Sequence, residues 1–459
     1  MPRRLVILLI LLVAACSSPG AIEPTSTTSP AGSRVDSDGN PIPPAPTNLA
    51  TGPLSADASR ALDAAWAGLG TAMDPAAVAA LGGVGDVRVG WLLSDLLRFF
   101  TGDEVGDAAL AAFAQLTGTD VVGLDPSLQW RTVSDYLIAW DLPAPPGYAG
   151  YKGRLFTLVE PGWQPFFDDS DADVDWRLIS WGGVFIDDRP LDTLEGCPAG
   201  CIPALDDPPM VTGEAAGWYP DDGIVFGVTI NGESRAYPKN IMEVHEMVND
   251  TIGGRRIGMP YCTLCGSAQA FYTDIGTGDP LVLRTSGLLS RSNKVMYVLA
   301  TRSMFDTFLG VAVSGPLQGL HLEQASVVTT TWGQWKSAHP DSAIVAEHGG
   351  RGITYPADPL YGRDDEGPIF PIGDVDPRLP VQQQVLGVTA PDGTPIAFPV
   401  AAALTRLDNG DPVVLDDVEL RLDAGGLRAY DRSGNELASH QAFWFAWSQF
   451  EPGTKLWEG

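Results

Sequence analysis

At 459 residues the chain is long enough for two or three domains, each burying its own core. Its 44 % hydrophobic and 19 % charged residues are the composition of a globular protein, not of a disordered polymer. A formal charge of −29 argues against nucleic acid or anionic lipid headgroups as partners.

The amino terminus reads MPRRLVILLILLVAAC, with Arg3 and Arg4 ahead of an apolar run from Leu5 to Val13. The run is too short for a stable membrane span and predicts a secretory signal over residues 1–15. Ala14 and Ala15 before Cys16, with Ser17 and Ser18 after it, resemble the bacterial lipobox, in which the cysteine is lipidated and becomes the first residue. That resemblance implies a lipid anchor and a cell-envelope address on the extracytoplasmic side of a membrane. Several acyl chains, each at about 0.8 kcal/mol per buried methylene, hold such an anchor durably. Residues 16–54 are rich in Pro, Ser, Thr and Gly and are expected to be a disordered tether.

Residues 55–180 are expected to form an α-helical domain. Apolar residues recur at spacings of three and four, as at Trp91, Leu92, Leu96, Leu97 and Phe100, and Asp74-Pro75 reads as a helix N-cap followed by proline. The later part, from 125 onward, holds Trp130, Trp140, Trp163 and Trp176 among many prolines. It is expected to be less regular and to pack the helices onto the C-terminal part of the chain.

From Trp181 the period changes to two, and residues 181–459 read as a β-rich domain, giving an α+β chain. Turn signals such as Asn231-Gly232 and Gly253-Gly254 separate the short runs. NIMEVHEMVND, residues 240–250, is the best helix candidate and would set His245 on one face with Ile241 and Val248. Two blocks recur in the same order. GVTINGESRAYP (227–238) returns as GVTAPDGTPIAFP (387–399), and Trp332, Trp335, Pro340 and Ser342 match Trp444, Trp447, Pro452 and Thr454. The β-rich part is therefore expected to be two related units, about 200–345 and 380–457. The tryptophans occur in both units and read as structural. His245, Cys262, Cys265 and His339 occur in the first alone, where any chemistry belongs.

With Cys16 lipidated, four cysteines are left, and they allow three disulfide connectivities or one disulfide beside a reduced pair. Cys197 and Cys201 flank a tight Pro-Ala-Gly loop and are expected to form a disulfide. Cys262 and Cys265 lie in YCTLCGS between two strand-like runs, with no helix to lower a thiol pKa as a redox CxxC requires. That setting suits a metal knuckle with Gly266 at the bend, completed from His245, His339 or the Cys197/Cys201 pair and holding zinc or copper. The alternative for His245 is a hydrogen-bonded core histidine, and for His339 a turn cap. A disulfide or disulfide-exchanging pair and two unpaired buried thiols stay open as readings. Glu246 is a candidate base. Ser286 and Ser290 do not stand in a nucleophile elbow, and no phosphate loop or dinucleotide fingerprint is present.

The segments IPALDDP, GESRAYP, EVHEMVND, YCTLCGSA, SGLLSRSNKVMY and TTWGQWKSAHPD together resemble a prokaryotic family, domain of unknown function 3179, over about residues 180–457. The resemblance implies exported or lipid-anchored proteins and supplies no activity. The stretch DDRPLDTLEGCPAGC is an insertion relative to the family pattern, and Val244 and Thr263 stand where it usually has Trp and Pro. Three functions are expected in consequence: metal binding at the CxxC, thiol–disulfide chemistry there, or a non-catalytic envelope binding module.

Overall fold

Acidic and hydroxyl caps start several helices of the first part. Ser55 accepts from the backbone of Ala58 ahead of α1 (Ala56–Trp66), and Asp74 from Ala76 ahead of α2 (Pro75–Ala80). Helices α3 (Gly90–Phe99) and α4 (Glu104–Thr117) come next, the second capped by Asp103. The structure is a computed structural model that describes residues 34–459 apart from 192, 194, 195, 198, 277 and 365. The expected signal over 1–15 and the lipidation residue Cys16 lie outside the described residues.

The region from 125 onward is more regular than expected. It holds α5 (Pro126–Ala139), α6 (Tyr148–Val159) and the short α7 (Gln164–Phe167). Its prolines sit at starts and in connections, where a missing N–H is harmless; Asp125-Pro126 repeats the cap of Asp74-Pro75. The packing role does hold: Trp163 donates its indole N–H to Ser286 O at 2.7 Å, and Arg98 to Trp181 O at 2.9 Å. Residues 34–54, expected in the tether, are bound to this part. Trp140 donates to Pro43 O at 2.7 Å and Arg88 to Gly52 O at 3.0 Å. Among the described residues no helix is long and apolar enough to cross a membrane.

Among the described residues the rest is β-rich, five small sheets in a propeller-like ring, with helices α8 (Lys239–His245), α9 (Trp332–Ala338), α10 (Val400–Asp408) and α11 (Trp444–Phe450) between strands. In one sheet Val328–Thr331 pairs antiparallel with Ile224–Ile230, the hairpin returns along Glu233–Pro238, and Ala343–Val345 adds in parallel. In another, Ser439–Phe443, Gln384–Thr389, Pro395–Pro399 and Lys455–Leu456 have the same order and senses. In both, a tryptophan of the connecting helix covers a strand glycine, Trp335 on Gly227 and Trp447 on Gly387, leaving no space for a Cβ. In both, that indole donates at 2.8 Å to a hydroxyl, Ser342 in one and Thr454 in the other.

The helix expected over 240–250 is cut in half. It ends at His245, Glu246 turns into the left-handed region at φ 52°, and Met247–Ile252 continues as a strand paired with Arg255–Cys262. The cause is the adjacent hairpin: Val248, Thr251 and Ile252 suit a strand, and Gly253-Gly254 closes the turn that holds them. Val248 therefore lies in this strand and shares no helix face with His245.

Behind this hairpin lies a buried charge network. Arg189 grips Asp187 at 2.6 and 2.9 Å, and Arg284 grips Asp206 at 2.8 and 2.6 Å. Asp187 and Arg284 are fully buried, so each charge depends on its partner to be tolerable there.

Candidate functional site

The strand Arg255–Cys262 carries Cys262 to its end, and a single 3-10 turn, Thr263–Cys265, brings Cys265 back beside it. Gly266 then takes φ 57°. A Cβ there would lie 2.9 Å from Gln384 Nε2, so both backbone and space require glycine. Ser267–Ala268 pairs back onto Tyr261–Cys262 and closes the knuckle. The strand-turn-strand setting expected from the sequence is present.

Opposite the thiols stands the hairpin joining Leu283–Ser290 to Asn293–Val298, whose turn residues Arg291 and Ser292 are both left-handed, at φ 45° and 69°. This turn aims two oxygens at the cysteines. Ser292 O lies 3.7 Å from Cys262 Sγ and 3.5 Å from Cys265 Sγ, and Asn293 Oδ1 lies 3.4 Å from Cys265 Sγ. Both cysteines are free and buried among Phe308, Val385 and Phe443. Burial pushes the Cys265 thiol well above its ordinary pKa, and the adjoining Cys262 pushes it further. Three polar atoms in the same layer, Ser267 Oγ, Ser292 Oγ and Asn293 Nδ2, are buried without a hydrogen-bond partner.

Glu246 fastens this knuckle to α8. Its carboxylate accepts from Thr263 Oγ1 at 3.2 Å and pairs with Lys294 Nζ at 3.1 Å, while its backbone oxygen accepts from Lys294 Nζ at 2.5 Å. Holding a buried lysine in place, Glu246 is committed as an ion-pair partner, which differs from the free base that the sequence suggested.

The histidines do not join the cysteines. His245 is buried and both ring nitrogens are engaged, Nδ1 at 2.6 Å from Pro203 O and Nε2 at 2.7 Å from Tyr355 Oη. A carbonyl can only accept, so the partners assign the proton to Nδ1 and leave Nε2 to accept from the tyrosine. Burial lowers the His245 pKa to about 4, which keeps the ring neutral. His339 packs against Trp335 with ring centroids 4.1 Å apart, its Nδ1 3.3 Å from Ser234 Oγ and its Nε2 3.4 Å from Asp423. It caps the end of α9, as Glu451 caps α11. The four-residue set expected from the sequence thus separates into a thiol pair and two histidines with other partners.

Cys197 and Cys201 stand at disulfide distance with Cα atoms 5.2 Å apart, across the tight loop that the sequence marked. Together with Asp187 they are, among the described residues, the one group of three His, Cys, Asp or Glu ligand atoms lying within 4.8 Å of one another. The fit to a metal is poor. A bonded cystine offers no thiolate, and both Asp187 oxygens already accept from Arg189, with Ala204 N adding a third bond at 2.8 Å.

Ser292 and Asn293 were missed by sequence reasoning. They lie about thirty residues from the cysteines, and one of them contributes a backbone atom that carries no side-chain signal. Tyr355 was missed because the stretch around it has no periodicity.

Neither a curated protein nor a solved structure matches the chain. Residues 199–418, a stretch that contains Cys262, Cys265, His245 and His339, match the model of the family described as "Protein of unknown function (DUF3179)".

Proposed function

We propose that this is a lipid-anchored protein of the extracytoplasmic face whose CxxC knuckle holds one zinc ion as a closed, structural site. The observation that carries the reading is that both thiols meet Ser292 O, and Cys265 also meets Asn293 Oδ1, at S···O separations of 3.4 to 3.7 Å. Zinc at about 2.3 Å from sulfur and about 2.1 Å from oxygen, in tetrahedral geometry, sets neighbouring sulfur and oxygen donors about 3.6 Å apart. Ser292 O and Asn293 Oδ1 would stand where zinc more often takes a histidine or a further cysteine. Two thiolates neutralise the dication, which suits a buried site, and their two protons leave on binding. A nucleophilic exchange thiol needs the opposite environment, exposed and low in pKa.

The two sheets with the shared order support a second part of the reading. They are two related units, about 200–345 and 380–457, of which the first carries the knuckle and the second acts as its scaffold. Phe443 and Val385 of the second unit share one hydrophobic cluster with Cys262 and Cys265 of the first.

Metal content of the full-length chain, purified in detergent under reducing conditions, tests the zinc reading. One zinc per chain is expected, lost in Cys262→Ser and weakened in Asn293→Ala. Copper(I), which needs the two sulfurs alone, would be indifferent to Asn293→Ala and would replace zinc in the reading. No bound metal together with an oxidised Cys262–Cys265 pair would overturn it.

A further inference from the structure

A cavity of about 560 Å³ lies between α8, the loop at 218–224 and the segment 347–364. Its floor is polar and buried. Lys239 Nζ bridges Glu243 at 2.5 Å and Asp364 at 3.0 Å, and both carboxylates are about 5 % exposed. One cation faces two carboxylates, and burial raises that of Glu243 to about 7, so the floor runs from neutral to singly negative and carries no net positive charge. The rim adds Asp222, Glu347 and Asp358, all exposed, and Lys239 is the one cation among the lining residues.

The walls are aromatic. Trp218 and Tyr219 come from the loop and Tyr355 from the opposite segment, the last held by His245. Two groups of the lining lack partners. Asn240 is 7 % exposed and donates its amide to Pro356 O at 3.0 Å, yet its Oδ1 accepts from nothing; Trp218 Nε1 likewise donates to nothing. Buried polar atoms are almost always satisfied, so an orphaned acceptor beside a cavity marks a place for a donor that is not part of the chain.

We infer that this cavity is a binding site for a small organic cation, an alkylammonium or polyamine. Aromatic faces attract such a cation through their quadrupoles, and the carboxylates of floor and rim supply its counter-charge. A bare metal ion is the weaker match. Among the described residues no three ligand atoms of the cavity lie within 4.8 Å of one another, and Lys239 already occupies the space between the two buried carboxylates. An anion would meet a floor without net positive charge and a negative rim. Glu243, whose carboxyl burial raises to about 7, would be drawn back toward its ionised form by such a ligand.

This inference stands apart from the zinc reading, because the two sites share no ligand residue. Isothermal titration of the full-length chain in detergent with choline and with putrescine, and with glucose as neutral control, tests it. Saturable binding of at least one amine and none of glucose is expected. Glu243→Gln should weaken that binding about tenfold or more, the scale of one lost hydrogen bond to a charged group. Trp218→Leu, which leaves the buried floor intact, should weaken it as well, and both variants should keep their zinc. No heat with either amine, glucose binding as well as they do, or amine binding unchanged in both variants would overturn the proposal.

Discussion

Trp335 packs directly on Gly227, so closely that the strand residue has no space for a Cβ. The contact joins a helix to the middle of its own sheet, and Trp447 with Gly387 repeats it further along the chain in both partners. Gly227→Ala is therefore expected to force the indole outward and to cost about 1–3 kcal/mol, the range for overpacking a filled core. Gly387→Ala should cost a similar amount. Denaturant midpoints measure both, and an unchanged midpoint in either would show that the indole yields freely.

Acid should destabilise the protein partly through His245. Its pKa is about 4 when folded and about 6.5 when unfolded, so between those values the unfolded chain binds more protons. Stability from this group is thus complete above about pH 6.5 and is lost as the pH falls toward 4, a contribution on the order of 3 kcal/mol. His440, lowered to about 3 by burial, acts in the same sense. Glu243 acts in the opposite one: its folded pKa is raised to about 7, so its contribution is present in acid and fades as the pH rises through that value. Wild type and His245→Gln separate these effects. The stability gap between them is expected to narrow on acidification from pH 6.5 to 4, and parallel curves would refute the assignment of a neutral buried ring.

The charge network gives the largest expected loss. Asp187→Ala removes the buried carboxylate that pairs with Arg189 and lies 3.7 Å from Arg284, a change worth about 3–5 kcal/mol. Removing Asp376 from its surface pair with Arg378 should cost about 1 kcal/mol or less. Thermal melts of Asp187→Ala and Asp376→Ala test the contrast, which fails if the two shifts are equal.

Local rules read this sequence well where local forces decide. Asp74-Pro75 gave a helix start, Gly253-Gly254 a hairpin, and the CxxC a knuckle between strands rather than a helix N-terminus. They failed where two local signals compete or a distant partner decides. The stretch 240–250 has a helical pattern throughout, yet its second half is captured by Arg255–Cys262 as a strand. The prolines after residue 125 suggested irregularity because composition does not say that they sit at helix starts. For the site, sequence could name the thiols. It could not name Ser292 O, since a backbone oxygen belongs to every residue, and it assigned His245 to the thiols because it had no means of seeing Tyr355 and Pro203 on either side of that ring.

X-ray absorption at the zinc edge of the full-length protein probes the knuckle most directly. Two sulfur and two oxygen neighbours, with no imidazole scattering, are expected, and the sulfur shell should vanish in Cys262→Ser. An imidazole bound to the zinc would contradict the account, because His245 would then have left Tyr355; so would a Cys262–Cys265 disulfide in a protein that holds no metal.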